Sequence, residues 1–182
     1  MAYIGLAHCV IRTKEGEGLR LGGAINVDIT PQYGEGKNYA DNKLETSRKV
    51  FKYADVKLET SRIPVKAAAA MFGNEYIEAD RRLVSRTTDK AQEVGFGCYV
   101  DEDDGTYSAI WLPETTFTEP SSSFKTNGEN VEFQNPSIDG TAKGNSDNEW
   151  KEVNSFDTIE EVESWLCEKA GITEQNNQEE GA

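Results

Sequence analysis

Apolar residues in this chain recur at every second position, in short stretches cut by glycine, proline and acidic turns. That period belongs to strands with one buried face, not to helices. Ala24 to Ile29 sets Ile25, Val27 and Ile29 against Ala24, Asn26 and Asp28, and Pro31, Gly34 and Gly36 are expected to end this strand. Tyr53 to Glu59 places Ala54, Val56 and Leu58 on one face and Tyr53, Asp55, Lys57 and Glu59 on the other. Ala2 to Ile11, Val94 to Val100, Tyr107 to Leu112, Thr115 to Thr118, Val131 to Phe133 and Ile138 to Ala142 read as further strands. The acidic run Asp101 to Gly105 turns Val94–Val100 back into Tyr107–Leu112 as a hairpin.

Two helices complete the pattern. Pro64 opens Val65 to Phe72 at its first position, and Gly73 follows its end, the usual asymmetry of helix termini. Asp157 and Glu160 form a capping box for a helix that runs to Ala170 and stops at Gly171. Ile159, Val162, Leu166 and Ala170 share one face of it, with Trp165 at the edge. The fold class is therefore mostly β (α+β). The expected architecture is a β-sandwich or partly closed barrel with a short central helix and a C-terminal helix.

Length and charge narrow the function. At 182 residues one domain is expected, over residues 1–172, with the polar, acidic residues 173–182 disordered. The net charge is -14. A surface of that sign repels the phosphate backbone that nucleic-acid readers must neutralise. No apolar run reaches the roughly 20 residues that span a bilayer, and Met1 to Leu6 does not begin like a signal peptide. Cys9, Cys98 and Cys167, odd in number and far apart in sequence, fit free thiols in a reducing compartment.

The charge is unevenly spread. Residues 35–66 hold eight basic and five acidic side chains, whereas residues 96–182 hold four basic and twenty acidic. Such a chain can attract copies of itself head to tail. The hexapeptide Lys-Leu-Glu-Thr-Ser-Arg occurs at 43–48 and again at 57–62. Residues 37–62 read as an extended polar hairpin arm, its first copy a loop or one arm of that hairpin. Lys43, Arg48, Lys49, Lys52, Lys57 and Arg62 are its candidate inter-subunit contacts.

Catalytic chemistry finds little to work with. His8 is the only histidine, so a two-histidine metal site is excluded and any Ser-His-Asp or Cys-His site would need His8. It sits among apolar residues and reads as an ordinary strand histidine. Gly34-Glu35-Gly36-Lys37 lacks the remaining residues of a phosphate loop, with Pro31 and Asn38 where Gly and Ser/Thr are required. The Asp101–Gly105 run has Leu112 where a calcium loop carries glutamate. No cofactor, no metal site and no enzyme activity are expected. Trp111, Trp150 and Trp165 offer an alternative, a carbohydrate-binding module with an aromatic platform, against plain core packing.

An ordered set of segments carries one resemblance across residues 1–172. These are Ile4-Gly5-Leu6, Tyr39-Ala40-Asp41, Val94-Gly95-Phe96-Gly97, Ala109-Ile110-Trp111-Leu112-Pro113 and Glu129-Asn130-Val131-Glu132-Phe133 with Pro136. Ile138-Asp139-Gly140, Trp150, Phe156-Asp157-Thr158, Trp165-Leu166 and Lys169-Ala170-Gly171 follow. Together they resemble the major tail protein, or tail tube protein, of long-tailed non-contractile bacteriophages of Gram-positive bacteria. The duplicated hexapeptide departs from that family by making residues 43–62 more basic.

The resemblance implies a structural virion protein of the phage tail, assembled in the host cytoplasm. It implies hexameric rings stacked into a tube around a tape measure protein, with tail terminator and distal tail proteins at the ends. Four strands from each of six copies would close an inner barrel, and DNA would pass through its lumen during ejection without specific binding. No membrane partner is implied. Some members add an immunoglobulin-like domain, for which this chain is expected to be too short.

Overall fold

The computed structural model describes residues 3–40, 43–121 and 135–172, and of residues 37–40 and 43–47 only the backbone. The expected strand at Val131–Phe133 and the tail at 173–182 lie outside these residues, as does the Lys43 side chain.

The strands are β1 (Tyr3–Arg12), β2 (Gly18–Arg20), β3 (Ala24–Ala40), β4 (Lys43–Thr60), β5 (Glu75–Ile77), β6 (Arg82–Val84), β7 (Glu93–Glu102), β8 (Tyr107–Phe117), β9 (Ser137–Lys143) and β10 (Glu152–Phe156). The helices are α1 (Val65–Phe72) and α2 (Ile159–Ala170). Eight strands form one antiparallel sheet in the order β2-β1-β7-β8-β9-β4-β3, with β10 paired to β8 off that path. β5 and β6 make a separate small hairpin. The chain is thus mostly β with two helices, as the alternation implies.

Two prolines mislead a strand-by-strand reading. Pro31 does not end its strand, for β3 runs on through Gly34 and Gly36. Among the described residues β3 is an edge strand, where one side of the backbone has no ladder to satisfy and a missing N–H is tolerated. Pro113 likewise lies inside β8, joining the two strands expected at 107–112 and 115–118. It falls where β8 changes partner, from β10 up to Trp111 to β9 from Glu114, and where its register with β7 slips between Leu112 and Thr115.

The curved sheet encloses a core built from β1, β4, β7, β8 and β9. Ile11, Val56, Leu58, Phe96, Leu112, Phe117 and Ile138 meet there, with α1 inserting Ala67 and Met71. Pro64 stands just before α1, at its cap position, and its carbonyl accepts the Ala68 N–H at 2.9 Å. Gly73 ends it with φ 73°, a left-handed conformation that costs glycine little.

On the other face of β1, β7 and β8 lies α2. It buries Val162, Leu166 and Ala170 against Val10, Tyr99, Ala109 and Trp111. Gly95 and Gly97 permit this packing: a Cβ on either would come within 2.6 Å of the Trp111 ring, which lies flat across β7. The helix cap is Thr158 and not Asp157, its hydroxyl accepting the Glu161 N–H at 3.3 Å. The cap thus falls one residue later than expected. Ile159 is 43% exposed, outside the buried stripe of Val162, Leu166 and Ala170.

Candidate functional site

β3 and β4 pair from Ala24–Thr60 to Ala40–Lys43. Yet β9 accompanies β4 only from Ala54 to Glu59. From Tyr53 to Lys43, β4 therefore has β3 as its only strand neighbour among the described residues. This is the polar arm, a ribbon about 35 Å long at strand rise. The first hexapeptide copy is one strand of it, and the second belongs largely to the sheet.

A register slip between Gln32–Tyr53 and Tyr33–Phe51 gives β4 one extra residue, Lys52. Beyond the slip the two faces of the arm differ. Tyr33, Phe51 and Lys49 share the face that continues the core side of the sheet. Phe51 stacks on Trp150 at 4.6 Å and Tyr33 meets Phe51 edge-on at 6.1 Å. The opposite face carries Gly34, Val50, Gly36 and Arg48. Lys52 folds over it, its Cε 2.6 Å from where a Gly34 Cβ would stand, so a side chain there would displace the lysine.

Among the described residues no helix packs on the outer face of β3, β4 and β9. Cross-strand rows there read Asn26–Glu59–Ser137, Asp28–Lys57–Asp139 and Thr30–Asp55–Thr141. Asp28, Asp55 and Asp139 are exposed around a shallow depression with Lys57 at its centre. Asn26 Nδ2 donates to Asp28 within β3 at 2.9 Å, and Gln32 Nε2 donates across to Asp55 on β4 at 2.8 Å, so each of these two carboxylates accepts from an amide. Beyond β3 the sheet ends in an edge with no strand partner among the described residues.

Five of the six candidate contact residues have described side chains, and they stand apart. Arg48, Lys49 and Lys52 are exposed on the arm, on two faces of it. Lys57 is exposed on the body, between Asp28 and Asp139. Arg62 is exposed past the end of β4, where its carbonyl accepts the Gly22 N–H at 3.2 Å. Ion pairs within 4 Å among the described residues use His8, Lys66, Arg86, Lys143 and Lys169, and none of these five.

His8 is a strand histidine, but not an ordinary one. It has φ 56° inside the irregular step of β1 between Ala7 and Val10. Its Nδ1 lies 3.5 Å from Glu163 on α2, and its buried Nε2 has no hydrogen-bond partner. No nucleophile is bonded to it. Burial, then the nearby Arg20 charge, lowers its pKa against the opposing pull of Glu163. Cys9 and Cys98, distant in sequence, meet in the core. Hydrogen bonding to Cys98, then burial, raises the Cys9 thiol well above its ordinary value. Among the described residues no three His, Cys, Asp or Glu side chains converge as metal ligands.

The tryptophans share no platform. Trp111 is 6% exposed beneath α2, and Trp165 packs on Phe156 at 5.8 Å on that same face. Trp150 belongs to the opposite face of the sheet, with the enclosed core. The alternation pointed to the arm's sheet-forming half. The Tyr33–Phe51–Trp150 stack and the buried carboxylate Glu102, which accepts from Ser108 Oγ, left no sequence signal beyond ordinary polar and aromatic residues.

No family model matches the chain, and no curated protein matches it. Among solved structures it is similar to a chain of the anti-feeding prophage cap, described as the tube terminating cap, studied by cryo-electron microscopy. That similarity has a TM-score of 0.43 at 12% identity, over 85% of this chain and 92% of the other.

Proposed function

We propose that the chain is a structural subunit of a phage tail, a tail-tube-type protein that assembles into rings and stacks them into a tube. The observation that carries this reading is the uncovered half of the sheet. A strand-rich monomer normally covers or shortens its edges, because an open edge invites pairing with another chain. Among the described residues no strand pairs with the outer edge of the 17-residue β3, and none of their helices lies on the polar, acidic face beside it. Closing such sheets side by side into a ring removes the edges and turns the bare face to a lumen.

Six copies per ring and four strands from each are the numbers the family resemblance supplies. Asp28, Asp55 and Asp139 would then line the passage. Carboxylates at that wall repel phosphates, so DNA slides through without being held. A tape measure protein would fill the lumen before ejection, with tail terminator and distal tail proteins closing the ends. The location is the virion tail, after assembly in the host cytoplasm. Lys43, Arg48, Lys49 and Lys52 would serve ring-to-ring contact through the arm, with Lys57 and Arg62 nearer the ring itself. Residues 1–172 would act as the one tube domain. No catalytic step enters this role.

Negative-stain electron microscopy and sedimentation velocity at rising protein concentration test the reading. Six-fold rings or striated tubes are the expected result. A monomer at every concentration overturns it. Reversing Lys49 and Lys52 to Glu should weaken stacking, and unchanged tubes in that double variant remove the arm's cations from the contact.

A further inference from the structure

We propose that Cys9 and Cys98 are a dithiol that closes into a disulfide under oxidising conditions, tying β1 to β7. The chemistry goes beyond the tail reading and does not depend on it. Three observations lead to it.

The first is register. β1 and β7 pair as Ala7–Tyr99 and next as Val10–Gly97, so His8 and Cys9 together stand opposite Cys98. Two residues facing one make a β-bulge, and His8 takes up the extra step with φ 56°. Opposed residues of an antiparallel pair have Cα atoms about 4.5–5.5 Å apart, and a disulfide bridges about 4.4–6.8 Å. The strand spacing therefore suits a bridge.

The second is direction. His8 turns to the α2 side, where Glu163 meets it. Cys9 and Cys98 instead lie together in the enclosed core, 2% and 1% exposed. Hydrogen bonding to Cys98 raises the Cys9 thiol, and burial adds to it. Cys167 is on the opposite face of the sheet, its Sγ accepting from Arg20 at 3.6 Å, so the fold keeps it from competing for either thiol.

The third is what the bridge holds. The β1–β7 ladder is interrupted at this step, and the other strand partner of β1 among the described residues is β2, three residues long. A covalent link here closes a loop of about 90 residues, and long loops lose the most unfolded-state freedom when closed.

The reaction is thiol–disulfide exchange. One thiolate attacks a small disulfide, such as oxidised glutathione, and releases one glutathione thiol. The second cysteine thiolate displaces the other glutathione. Two electrons pass to glutathione, whose two thiols take up the protons that the cysteines lose.

The test uses the full chain carrying Cys167→Ser, which leaves Cys9 and Cys98 as its only thiols. Dilute protein is equilibrated with oxidised glutathione just below its melting temperature, where opening of the sheet exposes both thiols. Alkylation, intact mass and peptide mapping read the product. The expected result is a loss of two hydrogens, a Cys9–Cys98 linked peptide, and a melting temperature raised by about 5 °C and restored by dithiothreitol. Two thiols still free for alkylation, two cysteines that each keep a glutathione, or a bridge that brings no rise in melting temperature overturn the inference. Wild-type protein treated alike should give the same linked peptide, and a bridge to Cys167 in its place also overturns it. Every reading is made on dilute protein, so the presence or absence of tubes leaves the result unchanged.

Discussion

The two halves of the large sheet are built to different rules. In β1, β7 and β8 both faces are covered, one by the enclosed core and the other by α2. β7 accordingly reads Val-Gly-Phe-Gly-Cys-Tyr, buried from Val94 to Tyr99 without a break. In β3, β4 and β9 only one face is covered. There Ala54, Val56 and Leu58 are buried while Asp55 and Lys57 are exposed, and β9 alternates in the same way. Two-sided burial demands continuous apolar sequence, and one-sided burial demands alternation. The covered half holds the packing that fixes the fold. The bare half holds charge and, among the described residues, an open edge, which contribute little to the stability of a single chain.

Substitutions can break or sharpen that contrast. The largest loss should come from the covered half. Leu166→Ala removes a fully buried side chain between α2 and the Trp111 layer and should cost about 2–5 kcal/mol in urea or thermal unfolding. A cost below about 1 kcal/mol there would mean that α2 is not a structural cover. Thr158→Ala deletes the cap of the same helix and should cost about 1 kcal/mol.

A smaller effect depends on pH. His8 is held neutral in the fold, because burial and Arg20 lower its pKa from the usual 6.5. Its contribution is complete above that value and is lost as pH falls below it toward the lowered folded value. Wild type should therefore lose stability on acidification through this window relative to His8→Asn, a residue that tolerates φ 56°. Parallel stability curves for the two proteins would refute the role of His8. The smallest change belongs to the bare half. Asp28→Ser with Asp139→Ser should leave monomer stability within about 0.5 kcal/mol of wild type. A larger loss would show that the bare face also holds up the fold.

What was legible in the sequence follows the same division. The alternation at Ala54, Val56 and Leu58 named the buried face correctly, and Gly73 and Gly171 marked both helix ends. Polar strands escaped. β10 is exposed along Glu152 to Ser155, and β2, β5 and β6 have three residues each, too few to show a period. Pro31 and Pro113 suggested ends because sequence does not reveal which strand lies at an edge or changes partner. The arm was visible as polar and basic residues. Its two faces were not, because the extra residue at Lys52 reverses which side chains point where. The pairing of Cys9 with Cys98 depends wholly on how β1 lies beside β7.

That buried pair gives the covered half an intrinsic clock. A thiol reagent reacts with thiolate, and here it must wait until β1 parts from β7 to reach Cys9 or Cys98. Cys167, only half-buried on α2, is within reach sooner and calibrates the reagent. The lag between fast and slow labelling would time the opening of the sheet, in the free subunit and again in the assembled one.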